Sequence, residues 1–132
     1  MRHYVLNVVI LFACLSFLPS ISTAHASDVT LYVSVSPTTV VAGEWASVSG
    51  VVVNNTAAKV RLTVTFQAVD TCGTKTDLGY NRLALEPGQS VLVTTAYATK
   101  AASCRGTHVI TFSTGGKGGS TALSATANLE VT

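Results

Sequence analysis

The sequence is short of charge, of long apolar runs and of helical patterning, and each shortage excludes a class of protein. Charged residues make up 11% of the 132 residues, against roughly 25% in an ordinary soluble domain. Eight Lys and Arg stand against six Asp and Glu, a net charge of +2, and the basic residues are scattered. Nucleic-acid-binding and membrane-surface proteins rely on clustered basic residues. Neither class is expected.

The first 26 residues have the layout of a secretory signal peptide. A basic start at Arg2 and His3 precedes an apolar stretch from Tyr4 to Leu18, and Ala24-His25-Ala26 supplies small residues at a cleavage site. The stretch is shorter than the roughly 20 residues that a membrane-spanning helix needs. We therefore expect cleavage after Ala26.

Two alternatives to cleavage remain open at this stage. The apolar stretch could stay attached as an uncleaved anchor, or Cys14 could carry a lipid. Leu11-Phe12-Ala13-Cys14 loosely resembles a lipoprotein signal, but Phe12 is too large for that pattern. The preferred interpretation is a secreted or periplasmic domain over residues 27–132, with no membrane insertion of the mature chain.

Residues 27–132 have the patterning of β-strands and lack a sustained 3.6-residue apolar period. Apolar and polar residues alternate over Val29–Val35, Val60–Ala68 and Leu123–Val131, as in strands with one face on a core. Turn residues such as Pro87-Gly88 separate the segments. The predicted all-β sandwich has seven strands: Asp28–Ser36, Glu44–Val53, Val60–Val69, Arg82–Leu85, Ser90–Ala98, Thr107–Thr114 and Ala122–Val131.

The two cysteines of the mature domain are consistent with an immunoglobulin-like strand order. In that order the third and sixth strands are antiparallel neighbours, which brings Cys72 close to Cys104. Disulfides persist in exported proteins, and two cysteines allow a single intramolecular pairing. We predict a Cys72–Cys104 disulfide, with two free thiols as the alternative. Antibody domains place a Trp on the third strand, whereas Trp45 lies at the second, so an antibody-type domain is not expected.

Three short motifs resemble those of the bacterial cell-adhesion-related, CARDB-like, immunoglobulin-like modules. They are an asparagine turn in Val53-Asn54-Asn55-Thr56, a corner in Leu85-Glu86-Pro87-Gly88-Gln89-Ser90 and a strand start in Gly106-Thr107-His108-Val109-Ile110. The resemblance covers most of residues 27–132. It implies a seven-stranded sandwich in an exported or surface protein, and it supplies no catalytic residues.

No constellation of residues predicts an active site, a metal site or a cofactor. His108, the single histidine of the mature domain, shares a strand face with Ile110 and Phe112, so a core residue is expected rather than a catalytic base. Asp70 and Asp77 flank Cys72 but lack the dense spacing of oxygen ligands in a calcium loop. We expect no catalytic residues, no metal and no cofactor.

The leading hypothesis is an exported, non-enzymatic module that binds a protein or a glycan at the cell envelope or outside the cell. Function on sandwich folds often sits on loops. The candidate partner-binding loops at one predicted end of the sandwich comprise Asn54, Asn55, Thr56, Gly115, Gly116, Lys117, Gly118 and Gly119.

Two other functions are weighed against this hypothesis. One is a secreted protease-inhibitor-like domain, because Pro37-Thr38-Thr39 and Gly116-Lys117-Gly118-Gly119 resemble motifs of chagasin-type inhibitors, whose Arg-Pro-aromatic loop is absent. The other is a small hydrolase that uses two of the scattered carboxylates.

The cleavage site makes a direct prediction. Exported protein should begin at Ser27, because Ala24 and Ala26 are the small residues that precede the scissile bond. Intact-mass spectrometry checks this start. A mass that retains residues 1–26, or a lipid on Cys14, would contradict it.

Overall fold

The protein is described from a computed structural model that covers residues 22–25, 28–115 and 123–132. Every regular element of this part is a β-strand. In chain order the strands are β1 (Ser22–His25), β2 (Val29–Ser36), β3 (Thr39–Val40), β4 (Trp45–Asn54), β5 (Val60–Val69), β6 (Lys75–Leu85), β7 (Ser90–Ala98), β8 (Gly106–Gly115) and β9 (Leu123–Val131).

The strands form two sheets that pack as a sandwich. One sheet has the order β1-β2-β4-β7 and the other the order β3-β9-β8-β5-β6. All pairings are antiparallel except that of β3 with β9. Among the described residues, β1 and β2 lie in the four-stranded sheet, the chain crosses to the five-stranded sheet at β3, and it returns to the four-stranded sheet at β4.

The core lies between the sheets because alternate side chains of each strand point inward. β5, β8 and β9 bury every second side chain, as their alternating sequences predict. Phe66 of β5 and Phe112 of β8 stack with their ring centroids 4.5 Å apart. Gly50 of β4 lies over this ring pair, and a Cβ there would be 2.7 Å from the Phe112 ring. A side chain at position 50 would therefore push the sheets apart.

The described residues form nine strands, where the sequence predicts seven. The fourth predicted strand, Arg82–Leu85, is too short, because β6 begins at Lys75. Most of β6 is exposed at the edge of the sheet, so its polar residues need no apolar alternation to pair with β5. The short β3 was also missed, since two residues carry no readable period.

The described part of the N-terminal segment is the four-residue β1. Ser22–His25 pairs with β2 in the register Ser22 to Val33 through His25 to Thr30. The rest of the predicted signal peptide, and the cleavage site after Ala26, lie outside the described residues, so cleavage stays a prediction. The part of the chain described by the structure holds no helix that could cross a membrane.

The predicted pairing of the third strand with the sixth, β5 with β8, is confirmed. β5 pairs antiparallel with β8, from Thr63 opposite Gly115 to Val69 opposite Val109. The structure joins Cys72, just past β5, to Cys104, just before β8, with their Cα atoms 6.1 Å apart. The crosslink thus closes one end of the central strand pair.

Replacing both cysteines by serine should lower the free energy of unfolding by about 3–4 kcal/mol, the chain-entropy value for a loop of this length. Urea unfolding of oxidised wild type and the Cys72→Ser/Cys104→Ser variant measures it. Reduced wild type is the matched control and should behave like the double variant. Equal stability of all three proteins would show that the crosslink does not hold the fold.

Candidate binding face

The first predicted partner-binding loop is built around a buried asparagine. Asn54 has no exposed surface. Its Nδ2 donates to the carbonyl oxygens of Ala58, Leu85 and Glu86, and its Oδ1 accepts from the amide and hydroxyl of Thr56. The side chain of Asn54 therefore ties two loops together and is not available to a partner, which corrects its place among the candidate binding residues.

The remaining candidates of that end are described only in part. Asn55 is exposed and Thr56 half-buried, and Gly115 is exposed at the end of β8. Gly116, Lys117, Gly118 and Gly119 lie outside the described residues, so their binding role stays a prediction. Asn54 and Asn55 line one pocket together with Glu86, Pro87 and Gly88, as expected for loops of one end.

His108 is a core residue, as the sequence predicts. It is fully buried, and its Nε2 lies against the carbonyl oxygen of Cys104, which can only accept a hydrogen bond. Nδ1 must then accept from the Tyr97 hydroxyl, 2.8 Å away. Burial, and secondarily the charge of Asp70, raises the pKa of Tyr97. Both ring nitrogens are engaged in holding β7 and the crosslinked loop together.

Asp70 also serves the crosslinked loop. Its Oδ1 accepts from the amides of Cys72 and Thr74, which closes a tight turn after β5. Asp70, Cys72 and Cys104 are the only group of three possible metal ligands close together among the described residues. The two sulfur atoms are bonded to each other and so are not free thiolate ligands.

A more open arrangement lies on the outer face of the five-stranded sheet. Residues opposite one another in antiparallel strands share a face, so the registers define four rows of outward side chains across β6, β5, β8 and β9. From one end to the other they are Arg82, Thr63 and Gly115; Tyr80, Thr65, Ser113 and Ser124; Asp77, Gln67, Thr111 and Thr126; and Lys75, Val69, Val109 and Asn128. We call these four rows the outer face.

A β-bulge shapes the middle of the outer face. The pairing of β5 with β6 shifts between Phe66, opposite Gly79, and Gln67, opposite Asp77, which leaves Leu78 as the extra residue. Gly79 has a φ of +115°, a conformation that is open to glycine and strained for other residues. Bulges re-aim side chains and are common beside functional sites.

The extra residue is anchored to the opposite sheet. Leu78 packs against the core, and its carbonyl oxygen accepts from the Thr95 hydroxyl of β7 at 2.9 Å. Leu78 points inward and Gly79 has no side chain, so the nearest outward side chains of β6 at the bulge are Asp77 on one side and Tyr80 on the other. The bulge thus opens a gap between them.

A cleft of about 380 Å³ occupies this gap. Its lining is mostly hydroxyl and amide groups: Thr65, Phe66, Gln67, Asp77, Gly79, Tyr80, Thr111 and Ser113. The Thr65 and Ser113 hydroxyls bond to each other at 2.9 Å. Within the described part of the chain, the side chains of Gln67, Asp77 and Thr111 make no hydrogen bond or ion pair. The cleft therefore presents unpaired hydrogen-bond donors and acceptors beside Gly79, which has no side chain.

Tyr80 is the exposed aromatic wall of the cleft. It is 64% exposed, although a ring of that size is usually well covered. Tyr80 lies between the predicted strands Val60–Val69 and Arg82–Leu85, because residues 73–81 show no alternation of apolar and polar side chains. The available signal was an aromatic next to glycine in Gly79-Tyr80, which is too short to predict a site.

The bulge glycine can be tested with a matched glycine control. Gly79→Ala should lower the free energy of unfolding by about 1–3 kcal/mol, the usual cost of a strained backbone conformation. A new Cβ would contact nothing within 4 Å at either Gly79 or Gly115, and only Gly79 has positive φ. Gly115→Ala should therefore change stability by less than about 0.5 kcal/mol. Thermal unfolding compares them, and equal effects would rule out bulge strain.

Comparison with solved structures identifies the fold. The CARDB domain of the PF1109 protein from Pyrococcus furiosus, solved in complex with di-metal ions, superposes with a TM-score of 0.64 at 16% identity, covering 87% of this chain and 91% of that one. The alkylpurine DNA glycosylase AlkC from Pseudomonas fluorescens, bound to DNA with an abasic site analogue, gives 0.64 at 17% identity over 82% of this chain. A β-glucosidase from Listeria innocua gives 0.59 at 15% identity over 82% of this chain.

The lengths of these proteins limit what the similarity shows. The chain spans 31% of the DNA glycosylase and 16% of the β-glucosidase, so in each it is similar to a part of a larger protein. No protein-family model matches the sequence, and no curated protein matches it. At these identities the similarity shows the fold alone: an immunoglobulin-like β-sandwich of the CARDB-like type.

Proposed function

We propose that this protein is an exported, non-enzymatic binding module that holds a saccharide on the outer face of its five-stranded sheet. The observation that carries the proposal is the cleft beside Tyr80. It combines an exposed aromatic ring with unpaired polar side chains on a rigid, twisted sheet.

The chemistry of the cleft suits a sugar ring. The C–H groups on one side of a pyranose pack against the face of an aromatic ring, while its hydroxyls need nearby donors and acceptors. Tyr80 supplies the ring, and tyrosine offers a large apolar face together with a polar tip. Gln67, Asp77 and Thr111 supply side-chain groups that no described residue uses.

The composition of the outer face favours a saccharide over a protein partner. Protein interfaces have an apolar core enriched in aromatic residues and Met, and they are depleted in Ser and Asp. On the outer face the rows around Tyr80 hold Thr, Ser, Gln and Asp side chains. A protein would bury these hydroxyls without an apolar centre, whereas a polyol can pair with them.

The two rival functions find less support in the geometry. Hydrolysis of a glycosidic bond uses two carboxylates, and Asp77 is the single carboxylate that lines the cleft. Of the inhibitor-like segments, Thr39 pairs with Glu130 beside Thr107 at the start of β8. The other segment begins after Gly115, at the far end of β8. Residues 116–119 of that segment lie outside the described residues, so the geometry gives this function no support.

A location outside the cytoplasm is part of the proposal. The Cys72–Cys104 disulfide fits a secreted or periplasmic protein, since disulfides are rare in reducing compartments. The predicted signal peptide points the same way. A module of this kind would meet polysaccharides at the envelope or beyond it.

The proposal is tested on an array of bacterial-surface and extracellular polysaccharides with wild type, Tyr80→Ala and Trp45→Ala. Tyr80 and Trp45 are equally exposed, at 64% each, but Trp45 belongs to the four-stranded sheet. Tyr80→Ala should weaken binding about tenfold or more, a loss of about 1.4 kcal/mol, and Trp45→Ala should leave it unchanged.

Thermal unfolding of the three proteins serves as the folding control. Both rings are mostly in water, so each variant should keep its stability within about 0.5 kcal/mol. A protein that binds no polysaccharide in a Tyr80-dependent way would overturn the proposal. Loss of binding in Trp45→Ala instead would move the site to the other sheet.

A further inference from the structure

Two arginines extend the outer face beyond Tyr80. Arg82 lies opposite Thr63, and Arg61 lies opposite Ala84, so the two arginines are diagonal neighbours on β5 and β6. Both are exposed. Together with Thr63 and Gly115 they line a cleft of about 580 Å³, which adjoins the row of Tyr80.

Neither arginine has an acidic partner among the described residues. Within the described part of the chain, Arg61 and Arg82 make no ion pair or hydrogen bond through their side chains. The described ion pair, Lys59 with Glu86, involves neither of them. Of the nearby carboxylates, Glu86 directly follows β6 and is paired with Lys59, and Asp77 lies in the row beyond Tyr80. Among the described residues, the arginine end of the face therefore carries a net positive charge.

Like charges on neighbouring strands repel each other, and an anion bound between Arg61 and Arg82 would relieve that repulsion. Arginine presents a planar fork of donors that binds a carboxylate through two parallel hydrogen bonds. Arg82 lies one row from Tyr80 and Arg61 lies two rows from it, so the ring and the two guanidinium groups follow one another along the face, as a sugar polymer with carboxylates requires.

We infer that the saccharide is acidic: a polymer of uronic acid units, with a ring stacked on Tyr80 and carboxylates held by Arg61 and Arg82. This inference rests on the proposed function and names its ligand class. Charge complementarity carries it, because a neutral glycan would leave both guanidinium groups unused.

The test compares two polymers that differ in the esterification of their carboxyl groups. Polygalacturonate and its fully methyl-esterified form share the same sugar ring, but the ester has lost the negative charge. Isothermal titration calorimetry should show wild type binding polygalacturonate about tenfold or more tightly than the ester. Added salt should shrink the difference, since exposed charges are screened.

Arginine variants test which residues cause the preference for the charged polymer. Arg61→Gln and Arg82→Gln should each weaken polygalacturonate binding about tenfold and weaken ester binding by much less, because the ester carries no charge for the guanidinium to pair with. Arg82→Lys, which keeps the charge but loses the fork, should fall between wild type and Arg82→Gln. Arg105→Gln is the matched control, because Arg105 is exposed at the crosslinked end, and it should bind like wild type.

Each contrary result has a defined meaning. Equal, Tyr80-dependent binding of both polymers would overturn the inference and leave the proposed function standing. Failure to bind either polymer would also overturn the inference, while the array decides the proposed function separately. Equal binding of polyglutamate or duplex DNA through the same arginines would show a general polyanion site and overturn the saccharide assignment.

Discussion

The pairing of β5 with β8 is the contact on which the rest of the structure depends. On its inner side Phe66 stacks on Phe112 and defines the centre of the core, where the opposite sheet needs Gly50 to fit. On its outer side Thr65 bonds to Ser113 and forms the middle of the cleft. One strand pair thus supports the core and the outer face at once, and its period of two separates the two roles.

The disulfide and the buried side chains near it stabilise one end of this strand pair. His108 bonds to Tyr97 of the four-stranded sheet and to the backbone at Cys104, which connects the two sheets beside the crosslink. At the other end Asn54 does a similar job with five hydrogen bonds to neighbouring loops. We expect these contacts to restrain both ends of the outer face, and a preorganised site loses little conformational entropy on binding.

The parts of the fold that bury alternate residues could be predicted from the sequence, and the parts in water could not. β5 and β9 alternate because one face of each is in the core, and the cysteine pair could be predicted from the expected neighbourhood of β5 and β8. β6 is an edge strand with little burial, so Lys75–Leu85 carries no period and the sequence predicts only its last four residues, Arg82–Leu85, as a strand. The candidate site could not be predicted for the same reason. Tyr80 and Gly79 form the cleft because of a β-bulge, and the bulge is visible only in the register of β6 with β5.

In the loops, the sequence suggested a binding residue where the structure has a buried structural one. Asn54 stood out in a polar turn, yet polar turn residues often serve the backbone around them, and its amide is fully used. The outer face could not be predicted as a site, because Thr, Ser and Gln are the ordinary exposed residues of a strand. Their meaning depends on which of them lack partners and on the ring between them, and a sequence shows neither.

The most direct measurement is a map of backbone amide NMR shifts as isotope-labelled protein is titrated with polygalacturonate. The account predicts that the shifts concentrate on the outer face, at Thr65, Gln67, Tyr80 and Arg82. Shifts confined to the loops around Asn55 and Gly88, or to the four-stranded sheet, would contradict it.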